Sequence, residues 1–89
     1  MELQLKGKTA FVSGSTGGIG YAIALGLLRE GTKVYINGRT EERVNATIEK
    51  LKKEVPDALV EGIAADFAKV EEVNNLFTVL PEVDILINN

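Results

Sequence analysis

The strongest constraint on the fold is an alternation along the chain between two kinds of apolar pattern. Residues 9–13, 33–37, 59–65 and 83–87 form short, nearly continuous apolar runs rich in β-branched side chains. Gly7 and Gly14 bound the first, Gly31 and Gly38 the second; Pro56-Asp57 precedes the third and Pro81 the fourth. Runs of this length without strict polar alternation fit strands covered on both faces. Between them the period changes to that of a helix. Ile19, Ala22, Ile23, Leu27 and Glu30 trace one stripe, with Gly31 as its stop. Thr40 is placed to N-cap a second helix, in which Val44, Ile48, Leu51 and Val55 recur on one side. Glu41, Glu42, Arg43, Glu49, Lys50, Lys52 and Lys53 make its other, solvated side. Val70, Val73, Phe77 and Leu80 suggest a third, shorter helix ended by Pro81. The order β-α-β-α-β-α-β predicts an α/β fold, a doubly wound parallel sheet with right-handed crossovers and helices on both faces.

Composition narrows the chemistry. With no cysteine and no histidine, zinc sites of the usual Cys/His kinds, a thiolate nucleophile, a Ser-His-Asp triad and a disulfide framework are all excluded within this span. A formal net charge of −3 argues against a nucleic-acid surface, which carries a basic excess. No apolar run approaches the roughly 20 residues of a membrane span, and the start of the chain lacks a charged-then-apolar signal pattern. The expectation is a soluble, cytoplasmic chain. At 89 residues without linker, low-complexity tract or repeat, it is one domain at most.

The most informative segment is Ser13-Gly14-Ser15-Thr16-Gly17-Gly18-Ile19-Gly20, which leaves the first strand and opens the first helix. The first N–H groups of a helix have no intrahelical partner, and the helix dipole favours an anion there. Gly14 would make the turn, Gly18 and Gly20 would permit close approach, and Ser15 and Thr16 could add hydroxyl donors. The alternative is an ordinary strand-to-helix turn rich in glycine.

Glycines at 14, 18 and 20 space as G-x-x-x-G-x-G, unlike the G-x-G-x-x-G of the general dinucleotide fingerprint. The segment 13–20 resembles the T-G-x-x-x-G-x-G motif of the short-chain dehydrogenase/reductase family, with Ser13 in place of threonine. Asn88-Asn89 resembles the start of that family's N-N-A-G motif, and Asp66 matches its acidic position after the third strand. The resemblance runs along the whole chain and favours the family's compact branch. It implies a Rossmann-like sheet and an oxidoreductase that passes hydride between a nicotinamide cofactor and a carbonyl or alcohol substrate. It also implies that Gly14, Ser15, Thr16, Gly17, Gly18, Ile19 and Gly20 hold the cofactor. Asp66 and Phe67 would meet its adenine and the Asn89 backbone its ribose, with Asn88 tying neighbouring strands together. Asp66 could equally cap the third helix.

The end of the second strand bears on cofactor choice. An acidic residue there would accept from the ribose hydroxyls and repel a 2′-phosphate. This chain has Gly38 at that position, then Arg39, whose fork of donors suits a phosphate. The expectation is NADP(H) over NAD(H), with Arg39 on the 2′-phosphate and Thr40 assisting. Gly17 stands where NADP-binding relatives often carry a basic residue, and Arg39 could instead pair with Glu41 or Glu42.

The family's Ser, Tyr and Lys chemistry lies downstream of N-N-A-G. Leu25 stands four residues after Tyr21, and Arg39 four after Tyr35, so no residue here is assigned a catalytic role. The expectation is that residues 1–89 form the amino-terminal, cofactor-binding part of a single, larger NAD(P)-binding domain. The full-length protein would be a homo-oligomer, while the span alone would be inactive and prone to associate through its fourth strand. A non-catalytic, nucleotide-sensing regulatory protein and an inactive truncated product are the alternatives.

Overall fold

The computed structural model describes residues 5–80 and 82–89. Among them the elements follow the predicted order: β1 (Thr9–Val12), α1 (Gly18–Arg29), β2 (Lys33–Gly38), α2 (Glu41–Glu54), β3 (Val60–Ala64), α3 (Val70–Val79) and β4 (Ile85–Ile87). All strand pairs are parallel, and the order across the sheet is β3-β2-β1-β4. The predicted α/β class and Rossmann-like parallel sheet are therefore the observed ones.

Successive residues of a strand face opposite sides, and the two sides carry separate cores. Ala10, Val12, Val34, Ile36 and Val60 face α1 and α2, which contribute Ala24, Leu28, Val44 and Leu51. Phe11 points the other way and packs with Ala65 and Leu76, the latter from α3. Gly62 of β3 gives α2 its close seat. A Cβ at 62 would overlap Val44 Cγ1 and come within 3.0 Å of Ile48 Cδ1.

α2 starts as predicted. Thr40 is its N-cap and accepts a hydrogen bond from the Arg43 N–H at 3.2 Å. Glu41 and Glu42 in the first turn and Lys52 and Lys53 in the last complement the helix dipole.

Two predicted stripes are corrected. The buried line of α1 is Gly20, Ala24 and Leu28, while Ala22 is exposed and Ile19 is 72% exposed. Small residues bring this helix close to the turn before it, so the bulkier apolar side chains fall to the flanks. In α3, Leu76 is buried and Leu80, just past the helix, packs against the same cluster, while Val73 is half-buried and Val70 is 74% exposed. The Phe77 side chain, Pro81 and the initial residues 1–4, on which other expectations fell, lie outside the described residues. No helix among the described residues is long and apolar enough to cross a membrane.

β4 hydrogen-bonds to β1, its one strand partner among the described residues, and Leu86 is 64% exposed.

Candidate functional site

The carboxyl ends of all four strands converge on an open cleft of about 500 Å³. It lies where β1, the first strand, has β2 on one side and β4 on the other. Ligands of open α/β sheets bind at such a switch point.

The turn between β1 and α1 forms one wall. Gly14, Thr16 and Gly17 line the cleft. Gly14 (φ 56°) and Gly18 (φ 58°) adopt the left-handed conformation that other residues enter only at a cost. Gly20 is glycine for want of space: a Cβ there would stand 2.5 Å from the Gly14 carbonyl oxygen and 2.7 Å from Asn89 Nδ2. Gly17 is the N-cap of α1, and no side chain caps this helix. Its first-turn N–H groups therefore remain for solvent or an anion. Gly18, Ile19 and Gly20 build this helix start without lining the cleft.

Ser15 departs from its predicted place. Its side chain is fully buried, and its hydroxyl donates to the Val12 carbonyl oxygen at 2.8 Å. The Ser15 hydroxyl oxygen in turn accepts from the Asn37 N–H at 2.8 Å, so Ser15 offers no donor to the cleft. Ser15 positions the turn by pinning it to β2, a bond reinforced by its own N–H donating to the Asn37 carbonyl at 2.9 Å.

Asn37 is the residue that sequence reasoning passed over. It is 3% exposed, and its side chain is bonded on both ends. Oδ1 accepts from the Gly14 N–H at 3.0 Å, and Nδ2 donates to the Ile63 and Ala65 carbonyls at 3.1 and 3.2 Å. One amide thus locks the glycine turn to the ends of β2 and β3. The available signal was an asparagine closing an otherwise apolar strand.

Across the switch point, the Asn89 N–H donates to Ser13 Oγ at 3.0 Å, and Asn89 Nδ2 donates to the Gly14 carbonyl at 3.1 Å. Asn89 also lines the cleft. The tie between β1 and β4 expected of Asn88 is present as a long bond, Ser13 Oγ donating to Asn88 Oδ1 at 3.5 Å, and Asn89 adds the two shorter ones.

The far wall is the end of β2 with the loop after β3. Gly38 and Arg39 line it, and so does Arg43, one helical turn further on. Arg43 was expected on a purely solvated face; it stands at the cleft, beside Arg39. Neither arginine is in an ion pair among the described residues, so Glu41 and Glu42 do not occupy Arg39. Thr40 Oγ1 is engaged as the α2 cap. Asp66 and Phe67 line the same wall. Asp66 does not cap α3, whose N-cap is Lys69. Its Oδ1 accepts from the Ala68 N–H at 2.9 Å, which shapes the turn that presents Phe67, 47% exposed. The two tyrosines lie elsewhere: Tyr21 has Lys50 Nζ 4.6 Å from its ring centre, and Tyr35 has Lys33 Nζ at 5.3 Å.

The family model described as short chain dehydrogenase matches residues 8–89. The chain belongs to the short-chain dehydrogenase family. It is 54% identical over its full length to the uncharacterized oxidoreductase YvaG of Bacillus subtilis (strain 168), of which it covers 34%. It is 36% identical to the 3-oxoacyl-[acyl-carrier-protein] reductase FabG of Aquifex aeolicus (strain VF5), covering 100% of this chain and 37% of that protein. The crystal structure of L-sorbose reductase from Gluconobacter frateurii, complexed with NADPH and L-sorbose, superposes with a TM-score of 0.85 at 32% identity. That match covers all of this chain and 35% of the reductase. The chain thus spans about a third of the length of these short-chain dehydrogenase relatives.

Proposed function

We propose that this chain is the cofactor-binding part of an oxidoreductase that passes hydride between NADP(H) and a small-molecule carbonyl or alcohol substrate. The observation that carries the cofactor reading is the end of β2. It presents Gly38, with no carboxylate to meet a ribose or repel a phosphate, flanked at the cleft by Arg39 and Arg43. The site fits a dinucleotide on its own geometry. Gly14 and Gly17 line the cleft, and the uncapped start of α1 opens beside them.

In this reading Gly14, Thr16, Gly17 and the first-turn N–H groups of Gly18, Ile19 and Gly20 hold the pyrophosphate, with Ser15 shaping the turn from beneath. Arg39, aided by Arg43, takes the 2′-phosphate; Asp66 and Phe67 take the adenine; Asn89 takes the ribose. The cofactor supplies the hydride chemistry, and these residues bind and orient it. The proton-exchanging groups and substrate-binding loops belong to the remainder of a single Rossmann domain, of which residues 1–89 are the amino-terminal part. A third-length match to the curated relatives and the position of both tyrosines away from the cleft support that division. A cytoplasmic homo-oligomer completes the proposal for the full-length protein.

Comparing NADPH and NADH affinities in wild type and Arg39→Ala tests it. Losing one charge-assisted phosphate contact is worth about 1.5–3 kcal/mol, so NADPH binding should weaken roughly 10- to 100-fold with little change for NADH. Equal losses for both nucleotides would overturn the assignment of Arg39.

A further inference from the structure

Gly38 is a glycine for a reason different from that of Gly14 or Gly18. Its φ is not positive, so its backbone conformation is open to any residue. What it lacks is room. A Cβ at 38 would overlap Thr16 Cγ2, stand 3.1 Å from Val44 Cγ2, and lie 3.6 Å from Thr16 Cβ. A Cβ at Gly17 or Gly18, in the turn after β1, would meet nothing within 4 Å.

Thr16 is not free to withdraw. The preceding residue, Ser15, is pinned to Asn37 through its N–H at 2.9 Å and through its hydroxyl oxygen at 2.8 Å. A β-branched side chain is also restricted at χ1. Thr16 itself lines the cleft, so any turn of its methyl away from position 38 changes the binding surface. Val44 is buried and seated against Gly62, which blocks relief from that side.

We propose that Thr16 is a specificity-determining residue: its methyl group fills the space in which an acidic side chain on position 38 would begin. The choice of nucleotide at the end of β2 is then set jointly by positions 16 and 38. This rests on the dinucleotide reading above and adds to it a residue from a different element, the turn after β1. The alternative to which the cleft is closed is a ribose held by a carboxylate at 38. Exchanging Gly38 alone does not open it, because the new Cβ must first displace Thr16.

The test is a double-mutant cycle on the full-length protein, using Gly38→Asp, Thr16→Ala and the pair together. The readouts are dissociation constants for NADPH and NADH, from nucleotide fluorescence, and the thermal midpoint. Gly38→Asp alone should weaken NADPH binding and gain little for NADH. Adding Thr16→Ala should tighten NADH binding about tenfold over Gly38→Asp alone and recover lost thermal stability, the size of effect typical of coupled neighbours. A second cycle, Gly38→Ala with Thr16→Ala, adds only the Cβ. It should show the same recovery of midpoint, and it decides the matter if neither aspartate variant folds. Additive effects in both cycles, or a Gly38→Asp variant that binds NADH as tightly as the double variant, would overturn the role of Thr16 while leaving the cofactor reading intact. A wild type that binds neither nucleotide would overturn the cofactor reading, and the proposal with it.

Discussion

Removing the Asn37 amide should unfasten the glycine turn from the sheet. In Asn37→Ala three side-chain hydrogen bonds disappear: the one from Gly14 N–H and those to the carbonyls of Ile63 and Ala65. Each such bond contributes about 1 kcal/mol net, and a buried group left unpaired costs about 1–3 kcal/mol. Gly14 is exposed, so water can reach its N–H, and the bond to Ala65 is the one fully buried. The sum is a loss of about 2–4 kcal/mol, a large share of the roughly 5–15 kcal/mol that holds a domain together. Asn37→Asp sharpens the prediction. Its carboxylate keeps an acceptor for Gly14 but sets a negative oxygen against two carbonyls. That raises the carboxyl pKa in the folded state above its unfolded value. The deficit is then small in acid, below the unfolded pKa, and grows as pH rises through the window up to the folded one. Denaturant unfolding followed by circular dichroism suits a chain without tryptophan. An alanine variant within about 0.5 kcal/mol of wild type, the range of ordinary surface substitutions, would refute the fastening role. So would an aspartate variant whose deficit is independent of pH.

Further outcomes follow from single contacts. Arg43→Ala should weaken NADPH binding by a few-fold, less than Arg39→Ala, because Arg43 stands in the first turn of α2 while Arg39 directly follows β2; a larger loss than Arg39→Ala would reverse their assigned ranks. Gly62→Ala should destabilise the protein by about 1–3 kcal/mol in thermal unfolding, since its methyl overlaps Val44 and the helix must lift from β3; an unchanged midpoint would contradict that packing. The exposed Lys33–Glu61 pair, 2.9 Å apart, lies on the α3 side of the sheet. Pairing with Lys33 holds the Glu61 carboxyl below its usual 4.5, and Glu61, with Tyr35, holds the Lys33 ammonium above its usual 10.5. The pair therefore stabilises the fold between those limits. Its effect is lost as pH falls through the lowered Glu61 value, or rises through the raised Lys33 value. Glu61→Gln should show a small, salt-sensitive loss at neutral pH that vanishes in acid; a loss persisting in acid would contradict it.

The fold was legible because the apolar period changes at every boundary. Short β-branched runs gave the strands, and Thr40 gave the start of α2 to the residue. What the pattern misplaced is the centre of each helix face. Ile23 and Leu27 of the predicted α1 stripe and Leu80 of the α3 stripe do pack, but as partly buried flanks of Ala24, Leu28 and Leu76, while Ile19, Ala22 and Val70 are exposed. A periodicity argument weights large apolar side chains, whereas α1 packs through Gly20 and Ala24, whose smallness permits the approach. Thr47 was missed for a related reason: its hydroxyl is satisfied within the helix by the Arg43 carbonyl at 2.8 Å, which lets a polar residue sit 6% exposed. In the site, residues whose backbone geometry matters were readable, because glycine spacing records it. Residues that act through side-chain partners were not. Ser15 reads as an outward donor until its two partners on β1 and β2 are known. Asn37 reads as a strand end until the carbonyls of Ile63 and Ala65 are brought to it. Arg43 reads as one charge among many until the helix start is set beside Arg39.

The central claim is that the end of β2 is built for a 2′-phosphate. Equilibrium titration of the protein with NADPH and with NADH, side by side under the same salt, tests it most directly. The account predicts tighter binding of NADPH by about 10- to 100-fold, the worth of a charge-assisted phosphate contact, narrowing as ionic strength rises. Equal affinities, or a preference for NADH, would contradict it.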